Sequence, residues 1–519
     1  MRQKTRGVIA AGHEKTAEAG IEMFRNGGNA FDAAVAAILA SFVAEPGLTS
    51  AAGGGFLLAH TQHNQNILFD FFTQTPRHKR HSSEINFYPV EVDFGSAVQE
   101  FHIGLGAMAV PGNIAGVFHV HRKLGRLPFQ VVAEPAIHYA KNGIQLNQFQ
   151  YYCLAKILKP IIMTDKGGQL VCSLTGEPLK PEGTNTMTAF AETLAYLTQK
   201  GAKEFYEGEI AHQLVKDCQE SGGYLTLEDL KNYRVIERNP LTLNYRGNTL
   251  LTNPPPSSGG TLIAFALKLL SSIDLTKFEL GSADHIEILA QVMRLTNEAR
   301  KDRYDSSLHQ ENIAELFLTD THLFEYLNQV TGTVNKWGST THISVLDGDG
   351  NAASVTTSNG EGSGYVIPGT GIMVNNMLGE QDLNPHGFHQ WKENVRISSM
   401  MSPTIVLKNN QPEIVLGSGG SNRIRTAILQ VISNILDFKM SVREAVDNPR
   451  VHWENDVFNV EPGFAEDEVN KILLPSHNQL VKWHDKNLFF GGVHTVRETS
   501  AGLMDGAGDR RRDGVVAIS

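Results

Sequence analysis

Cysteine is scarce in this sequence, and no spacing typical of a metal site occurs. Its 519 residues include only Cys153, Cys172 and Cys218, an odd number that is too small for a disulfide framework. We expect each of them to be a small, largely buried side chain. The 20 histidines are scattered and form no HExxH or comparable motif. The sequence therefore gives no signal for a metal or an organic cofactor.

Long apolar runs are also missing. The most apolar stretch, residues 33–44, is too short to span a bilayer and lies between Asp32 and Glu45. Residues 1–16 lead into a helical pattern without the apolar core and cleavage site of a signal peptide. We therefore predict no membrane partner and a cytoplasmic location.

Positive charge is not concentrated as a nucleic-acid surface requires. The net charge is -10, which is mild for this length. The basic run Arg510–Arg512 lies beside Asp509 and Asp513, which predicts a solvated, ion-paired turn. We expect no nucleic-acid partner. A hydrophobic content of 41% and a charged content of 19% are typical of an ordinary globular protein.

The N-terminal part alternates between helical and strand patterns. Thr16–Asn26 has helical periodicity and is followed by two glycines, which predicts a helix end. Asn29 is placed to cap a second helix that runs to residue 45 and is apolar on all sides, so we expect this helix to be buried. Residues 56–60 and 67–72 then form a predicted hairpin within a larger sheet.

The remainder divides into a helical middle and a C-terminal part rich in strands. Residues 110–335 are mostly helical in pattern, interrupted at 253–260 by a Pro- and Gly-rich segment that is either a connector or a pocket wall. The predicted C-terminal elements are strands at 341–346, 352–357, 404–408 and 413–416, a glycine loop at 417–420 and a helix at about 421–438. This order favours stacked sheets between helical layers within one interlocked domain.

The tetrapeptide Ser339-Thr340-Thr341-His342 is the first candidate for chemistry. Alone it says little, because threonine at the start of a strand is usually a β-former. Its context is more informative. It opens a hairpin, and a polar, glycine-rich track follows at residues 356–364. Further on, residues 417–421 present a run of backbone amides ahead of a helix.

Ordered motifs along nearly the whole chain resemble those of the γ-glutamyltransferase family. The motifs are Gly27–Ala34, Gly53–Phe56, Tyr206–Gly208, Leu227–Leu230, Tyr245–Gly247, Pro254–Gly260, Thr340–His342 with Asp349–Ala352, and Asp509–Gly514. So many matches in the same order identify the chain as a divergent member more firmly than any single motif does.

The resemblance implies an α+β fold of the N-terminal-nucleophile (Ntn) hydrolase type, a four-layer αββα sandwich made as one precursor. It also implies self-cleavage between Ser339 and Thr340. The products are a large subunit, 1–339, and a small subunit, 340–519, which remain together as a heterodimer. Cleavage frees the α-amine of Thr340, whose ordinary pKa of about 7.7–8.0 allows it to act as the base for its own hydroxyl.

The other roles are likewise carried over from the family. The amides of Gly420 and Ser421 match the oxyanion hole, at a helix N-terminus whose dipole favours negative charge. Thr356 or Ser358 is placed to hydrogen-bond the nucleophile or its amine. The remaining matches are substrate contacts, namely Asn359 and Glu380 for the α-amino group and Ser399 for the α-carboxylate.

The sequence departs from the family in the glutamyl pocket. Phe72 stands where the family has an arginine that clamps the α-carboxylate, and a bidentate guanidinium is not replaced by a phenyl ring. Arg77 is close in sequence but needs a different backbone path to substitute for it. Met400 replaces the second residue of a serine pair, and Met377 replaces a polar residue.

Three hypotheses follow for the function. In the first, Thr340 forms an acyl-enzyme with small γ-glutamyl compounds such as glutathione and passes the acyl group to water or an amine. In the second, a related acylase uses the same mechanism on a non-glutamyl acyl group, which Phe72, Met377 and Met400 favour. In the third, the chain is an inactive scaffold that has kept the fold.

Overall fold

The computed structural model describes residues 4–519 except 94–97, 155–160, 162–182, 311, 327–339, 385, 455, 475–477 and 500. Ser339, and with it one side of the predicted scissile bond, lies outside the described residues, as does Cys172. Cys153 and Cys218 are buried free thiols, as expected. Within the described residues, no helix is both long and apolar enough to cross a bilayer.

Strands occur throughout the chain. They are β1 (Gly7–Ala11), β2 (Gly54–His60), β3 (Asn66–Phe71), β4 (Tyr88–Asp93), β5 (Val98–Ile103), β6 (Ile144–Gln145), β7 (Thr184–Asn185), β8 (Ile236–Arg238), β9 (Leu241–Tyr245), β10 (Asn248–Thr252), β11 (Thr341–Asp347), β12 (Ala352–Ser358), β13 (Val366–Ile367), β14 (Ile372–Met373), β15 (Thr404–Lys408), β16 (Gln411–Gly419), β17 (Val451–Glu454), β18 (Val457–Val460), β19 (Gln479–Lys482), β20 (Gly492–Glu498), β21 (Met504–Ala507) and β22 (Val515–Ile518).

The α-helices lie mostly in the first two thirds of the chain. They are α1 (Glu14–Arg25), α2 (Ala30–Ala44), α3 (Asn113–Leu124), α4 (Phe129–Asn142), α5 (Gln148–Tyr152), α6 (Thr188–Lys200), α7 (Lys203–Glu207), α8 (Glu209–Ser221), α9 (Leu227–Asn232), α10 (Gly259–Ser271), α11 (Ala283–Ala299), α12 (Ile313–Phe317), α13 (Asp320–Tyr326), α14 (Arg423–Leu436), α15 (Val442–Asp447) and α16 (Glu466–Lys471).

Two large sheets form the centre of the molecule. The first has seven strands in the order β22-β1-β11-β12-β2-β3-β8, and the second has six in the order β21-β20-β16-β15-β10-β9. Strands β11 and β12 pack on β16 and so bring the sheets face to face. Helices α1 and α2 cover the other face of the first sheet, whereas α10 and α14 pack on the second. The predicted αββα sandwich of the α+β class is therefore confirmed.

Helix α2 shows how the sequence builds this centre. The Asn29 side chain accepts hydrogen bonds from the amides of Phe31 and Asp32, while the Asp32 carboxylate accepts one from the Asn29 amide, which completes a capping box. All 15 residues of the helix are buried, as its uniformly apolar sequence predicts. The helix ends against β11, the strand that begins at Thr341.

Strand β11 is buried on both faces because it lies between the helices and the second sheet. Ile343 and Val345 join the core on the helical side, and His342 points toward the second sheet. There the imidazole of His342 packs directly on Gly417, where a Cβ atom would lie only 2.2 Å from its ring. Gly417 thus admits a bulky side chain between two sheets.

Some sequence-based predictions need correction. Gly417–Gly419 are not a loop, because they form the end of β16 and pair with β20. The following helix begins at residue 423 rather than 421 and ends at 436. The middle region also contains β8–β10, two of which join the second sheet. Short strands that complete a distant sheet carry little local periodicity.

The predicted solvated turn at Arg510–Arg512 is wrong for two of its three residues. Arg511 and Arg512 are buried. Arg511 pairs with Glu461 and, at 3.2 Å, with Asp509. The prediction of solvent exposure failed because Glu461, which pairs with Arg511 in the interior, is 50 residues away in sequence and is not part of the local pattern.

Candidate active site

Thr340 lies immediately before β11, in close contact with the end of β16. Its carbonyl oxygen accepts a hydrogen bond of 3.1 Å from Nη1 of Arg512. The α-carbon of Gly419 packs on the same carbonyl, since a Cβ atom there would lie 2.1 Å from the oxygen. Thr340 is 5% exposed. The structure thus holds Thr340 beside the glycine turn that the sequence predicted as the oxyanion loop.

That turn consists of Gly420 and Ser421 and leads directly into α14. Gly420 has φ = 121° and Ser421 has φ = 49°, so two successive residues adopt left-handed backbone. The Ser421 hydroxyl donates a short hydrogen bond to the carboxylate of Asp382, which ties the turn to the segment after Glu380. The first amides of a helix have no partner within the helix, and its dipole favours negative charge there.

A small cavity of about 30 Å³ lies in front of Thr340, room for roughly one water molecule. Its lining residues are Phe72, Thr340, Ser358, Met377, Glu380, Asp382, Leu383, Ser399, Met400, Met401, Ser421 and Ile424. The structure therefore places most of the sequence-predicted site residues around one space. Three of the lining residues are methionines, whose unbranched side chains can rearrange to widen it.

Three of the predicted residues are not among those lining this cavity. The hydroxyl of Thr356 forms a 2.8 Å hydrogen bond with Nδ1 of His342, on the side of the second sheet. The side-chain oxygen of Asn359 accepts a 2.8 Å hydrogen bond from the hydroxyl of Ser50. Gly420 adjoins the cavity through its neighbour Ser421. Of the two hydroxyls proposed to assist the nucleophile, that of Ser358 is the one beside Thr340.

Glu380 has an unusual electrostatic environment. Burial raises the pKa of its carboxyl well above the ordinary value, and the nearby carboxyls of Glu361 and Asp382 raise it further. Its Oε1 atom has no hydrogen-bond partner within the described part of the chain. Gly360 packs on this oxygen, because a Cβ atom on Gly360 would lie 2.1 Å from it. The cavity thus has a crowded acidic side.

A second acidic group lies next to the Thr340–Thr341 dipeptide and was missed from the sequence. Glu45, at the end of α2, accepts hydrogen bonds from the hydroxyls of Thr341 at 2.5 Å and Thr16 at 2.9 Å. Burial raises the pKa of Glu45 to about 7, although these hydrogen bonds and the charge of Arg512 oppose the rise. Glu45 and Arg512 therefore hold the Thr340–Thr341 dipeptide from two sides. The sequence signal that could have identified Glu45 is the presence of an acidic residue at the end of an apolar helix.

Phe72 occupies the cavity wall where the family resemblance implies an arginine. Its ring stacks on Phe56 with the centroids 5.4 Å apart. Arg77 does not substitute, since it is not among the described lining residues and its backbone amide binds the carboxylate of Asp229 in α9. Arg396 donates a 2.5 Å hydrogen bond to the carbonyl of Phe72 and pairs with the carboxylate of Asp70, and it is not among the described lining residues of this cavity. No arginine, lysine or histidine is among the described residues that line the cavity.

The Pro- and Gly-rich segment at 253–260 supports the cavity wall. The Ser257 hydroxyl and the Ser258 amide donate hydrogen bonds of 2.7 and 2.8 Å to the carbonyl of Ser399. Gly259 packs on the carbonyl of Met400, where a Cβ atom would lie 2.1 Å away. These contacts favour the interpretation of this segment as part of a pocket wall over its interpretation as a connector.

A larger cavity of about 300 Å³ adjoins the small one through Leu383. Its wall includes Ser398, the neighbour of Ser399, together with Trp391, Lys392 and Arg396. The two cavities together offer a small space at Thr340 and a roomier one next to it. Within the described ranges, no group of three or more His, Cys, Asp or Glu side chains could hold a metal ion.

The two stacked sheets, their helical layers and the threonine at the start of a central strand define the Ntn-hydrolase class of fold. Comparison with known proteins agrees. A sequence model of the family described as Gamma-glutamyltranspeptidase matches residues 16–519. The chain therefore belongs to the γ-glutamyltranspeptidase family, and it is a hydrolase or acyltransferase of the type found there.

Individual relatives extend this result. The chain is 30% identical to glutathione hydrolase proenzyme of Escherichia coli (strain K12), covering 97% of this chain and 90% of that protein. It is 29% identical to acylase ACY 1 proenzyme of Pseudomonas sp. (strain SE83), covering 99% and 94%. Among solved structures, cephalosporin acylase from Bacillus halodurans superposes with a TM-score of 0.86 at 25% identity, covering 100% of this chain and 97% of that one.

Proposed function

We propose that the chain cleaves itself before Thr340 and then uses Thr340 as the nucleophile of an amide hydrolase or acyltransferase. The products of self-cleavage are fragments 1–339 and 340–519, which stay together as a heterodimer. The observation that carries the proposal is the contact between Thr340 and the end of β16, which brings its side chain into the same cavity as Ser421.

The chemistry follows from this arrangement. The freed α-amine of Thr340 takes the proton from the hydroxyl, and Oγ attacks the substrate carbonyl. The amides of Gly420 and Ser421 stabilise the resulting oxyanion, and a single donor of this kind is worth on the order of 3 kcal/mol. The proton passes to the leaving nitrogen, the C–N bond breaks, and the ester acyl-enzyme is then released by water or an amine.

Two substrate classes are consistent with the family. Small γ-glutamyl amides such as glutathione are the first, supported by the relatives named glutathione hydrolase. Acyl amides other than γ-glutamyl are the second, supported by the relatives named acylase and by the apolar wall of Phe72, Met377 and Met400. In either case the larger cavity beside Leu383 has room for the leaving amine.

N-terminal sequencing of the purified protein tests the proposal. We expect two bands on a denaturing gel, with the smaller one beginning Thr-Thr-His-Ile. Thr340→Ala should stay a single band without amidase activity. Thr340→Ser, which keeps a hydroxyl, should still be cut. A wild-type chain that stays uncut and inactive would support the scaffold hypothesis instead.

A further inference from the structure

The charged groups that line the small cavity are all of one sign. Glu380 and Asp382 supply two carboxyls, and the hydroxyls come from Thr340, Ser358, Ser399 and Ser421. The other described lining residues are apolar, namely Phe72, Met377, Leu383, Met400, Met401 and Ile424. An acyl group that enters this cavity therefore meets carboxyls on one side and hydrocarbon on the other.

Arg423 and Arg512 lie close to this cavity without lining it. Arg423 is buried outside the lining, its Nε donates to the carbonyl of Phe489, and its guanidinium lies 5.0 Å from the centre of the Phe489 ring. Arg512 donates to the carbonyl of Thr340. Glu361 adds a third carboxyl behind Glu380. The charges of Arg423 and Arg300 act on Asp382 from outside the cavity, whereas the charged side chains among the described lining residues are acidic only.

The acidic lining of the cavity discriminates between the α-ammonium and the α-carboxylate of a γ-glutamyl group. An ammonium that reaches Glu380 and Asp382 gains an opposite charge and relieves the repulsion among the clustered carboxyls. A carboxylate finds no cation among the described lining residues and must shed its water against the acidic side of the cavity and the ring of Phe72. The cavity therefore suits the α-ammonium of a γ-glutamyl group and disfavours its α-carboxylate.

We propose that the preferred acyl group carries an ammonium and lacks an α-carboxylate, with 4-aminobutanoyl as its simplest member. The inference rests on the acyl-transfer function proposed above and names its substrate class. In the first step the bond from Thr340 Oγ to the acyl carbon forms and the C–N bond breaks, releasing the free amine. Water then attacks the ester, giving 4-aminobutanoate and the regenerated hydroxyl.

Four p-nitroanilides test the inference, because they differ only in the two charged groups. The γ-glutamyl compound carries both groups, and the 4-aminobutanoyl compound carries the ammonium alone. The glutaryl compound carries the carboxylate alone, and the butanoyl compound carries neither. We expect kcat/KM for the 4-aminobutanoyl anilide to exceed those for the γ-glutamyl and butanoyl anilides at least tenfold, with the glutaryl anilide slowest. If the γ-glutamyl, glutaryl or butanoyl anilide is turned over faster than the 4-aminobutanoyl anilide, the inferred substrate class is wrong, whereas the proposed acyl-transfer function stands.

Failure of the underlying function gives a different result. If no anilide is turned over in a manner that Thr340→Ala abolishes, and mass spectrometry detects no acyl adduct on the small fragment, both proposals are wrong. An adduct on Thr340 with the wrong acyl preference removes only the substrate class. The two failures are therefore separable in one set of experiments on the purified, processed protein.

Two substitutions address the residues that set the preference. Glu380→Gln keeps the side-chain shape, and we expect it to lower the ratio of 4-aminobutanoyl to butanoyl turnover about tenfold. The exposed Glu393→Gln is the matched control and should leave that ratio unchanged. Phe72→Arg should shift the preference toward the γ-glutamyl anilide, provided that circular dichroism shows a folded protein. An unchanged ratio in Glu380→Gln contradicts the role of the acidic side.

Discussion

Replacing Gly419 with alanine should push Thr340 away from the turn at Gly420 and Ser421. In the structure, a Cβ atom on residue 419 would lie 2.1 Å from the carbonyl oxygen of Thr340, whereas ordinary van der Waals contact begins at 3.4 Å. The two backbones must therefore separate by about 1.3 Å, since neither contact atom is the flexible end of a side chain. The displaced residue is the proposed nucleophile itself.

The expected cost follows from that displacement. A misplacement of about 1 Å at a reacting group can cost roughly 10²-fold in rate, which corresponds to about 2.7 kcal/mol of activation free energy. We expect kcat/KM of Gly419→Ala on the best anilide substrate to fall by about this factor. Self-cleavage should slow as well, because we propose that the same hydroxyl makes that cut.

The assay compares initial rates on fully processed protein, with the cut fraction read from a denaturing gel. Gly348→Ala is the matched control, because a Cβ atom on Gly348 meets no heavy atom closer than 3.5 Å and its φ is not left-handed. It should behave as wild type in both measurements. A Gly419→Ala enzyme that is processed normally and stays within threefold of wild-type kcat/KM would refute the argument from close approach.

Three further predictions concern buried polar groups. Because the folded pKa of Glu45 is raised to about 7 from an ordinary value of 4.5, its contribution to stability should fall by roughly 3 kcal/mol as the pH rises through that window. Urea unfolding of Glu45→Gln at pH 5 and pH 8 should lack this component, and an unchanged pH dependence would contradict it. Asp509→Asn removes a 2.7 Å ion pair with Arg450 and a 3.2 Å pair with Arg511, so we expect a loss of about 3–5 kcal/mol of unfolding free energy, with Asp505→Asn on the surface as the control. Asn29→Ala removes the capping box of α2 and should cost about 1 kcal/mol, measured as a shift in the unfolding midpoint; no shift would show that the cap is dispensable.

Local patterns were sufficient for the elements that position the site. Helix α2 and the hairpin of β11 and β12 follow from capping, uniform apolarity and alternation, all of which act over a few residues. The order of motifs also brought Ser358, Glu380, Ser399 and Ser421 together with Thr340 as candidates, and the structure places them around one cavity.

Features that depend on distant contacts were not predictable in the same way. Glu45 supports Thr341 across a separation of 296 residues, and its position at a helix end gave no hint of that partner. Arg511 was expected in solvent because its partner Glu461 is 50 residues away. Gly419 was assigned to a loop, although its small size serves the approach of two strands from opposite sheets.

The order of strands also determines how a break before residue 340 would behave mechanically. Within the described part of the two large sheets, strands from before residue 340 pair with strands from after it in four places. These pairs are β1 with β22, β1 with β11, β2 with β12, and β10 with β15. Pulling the pieces apart would rupture all four hydrogen-bonded ladders together, an event that amounts to denaturation. A nicked molecule should therefore melt in a single transition, and halves produced separately should have to fold around each other to form it.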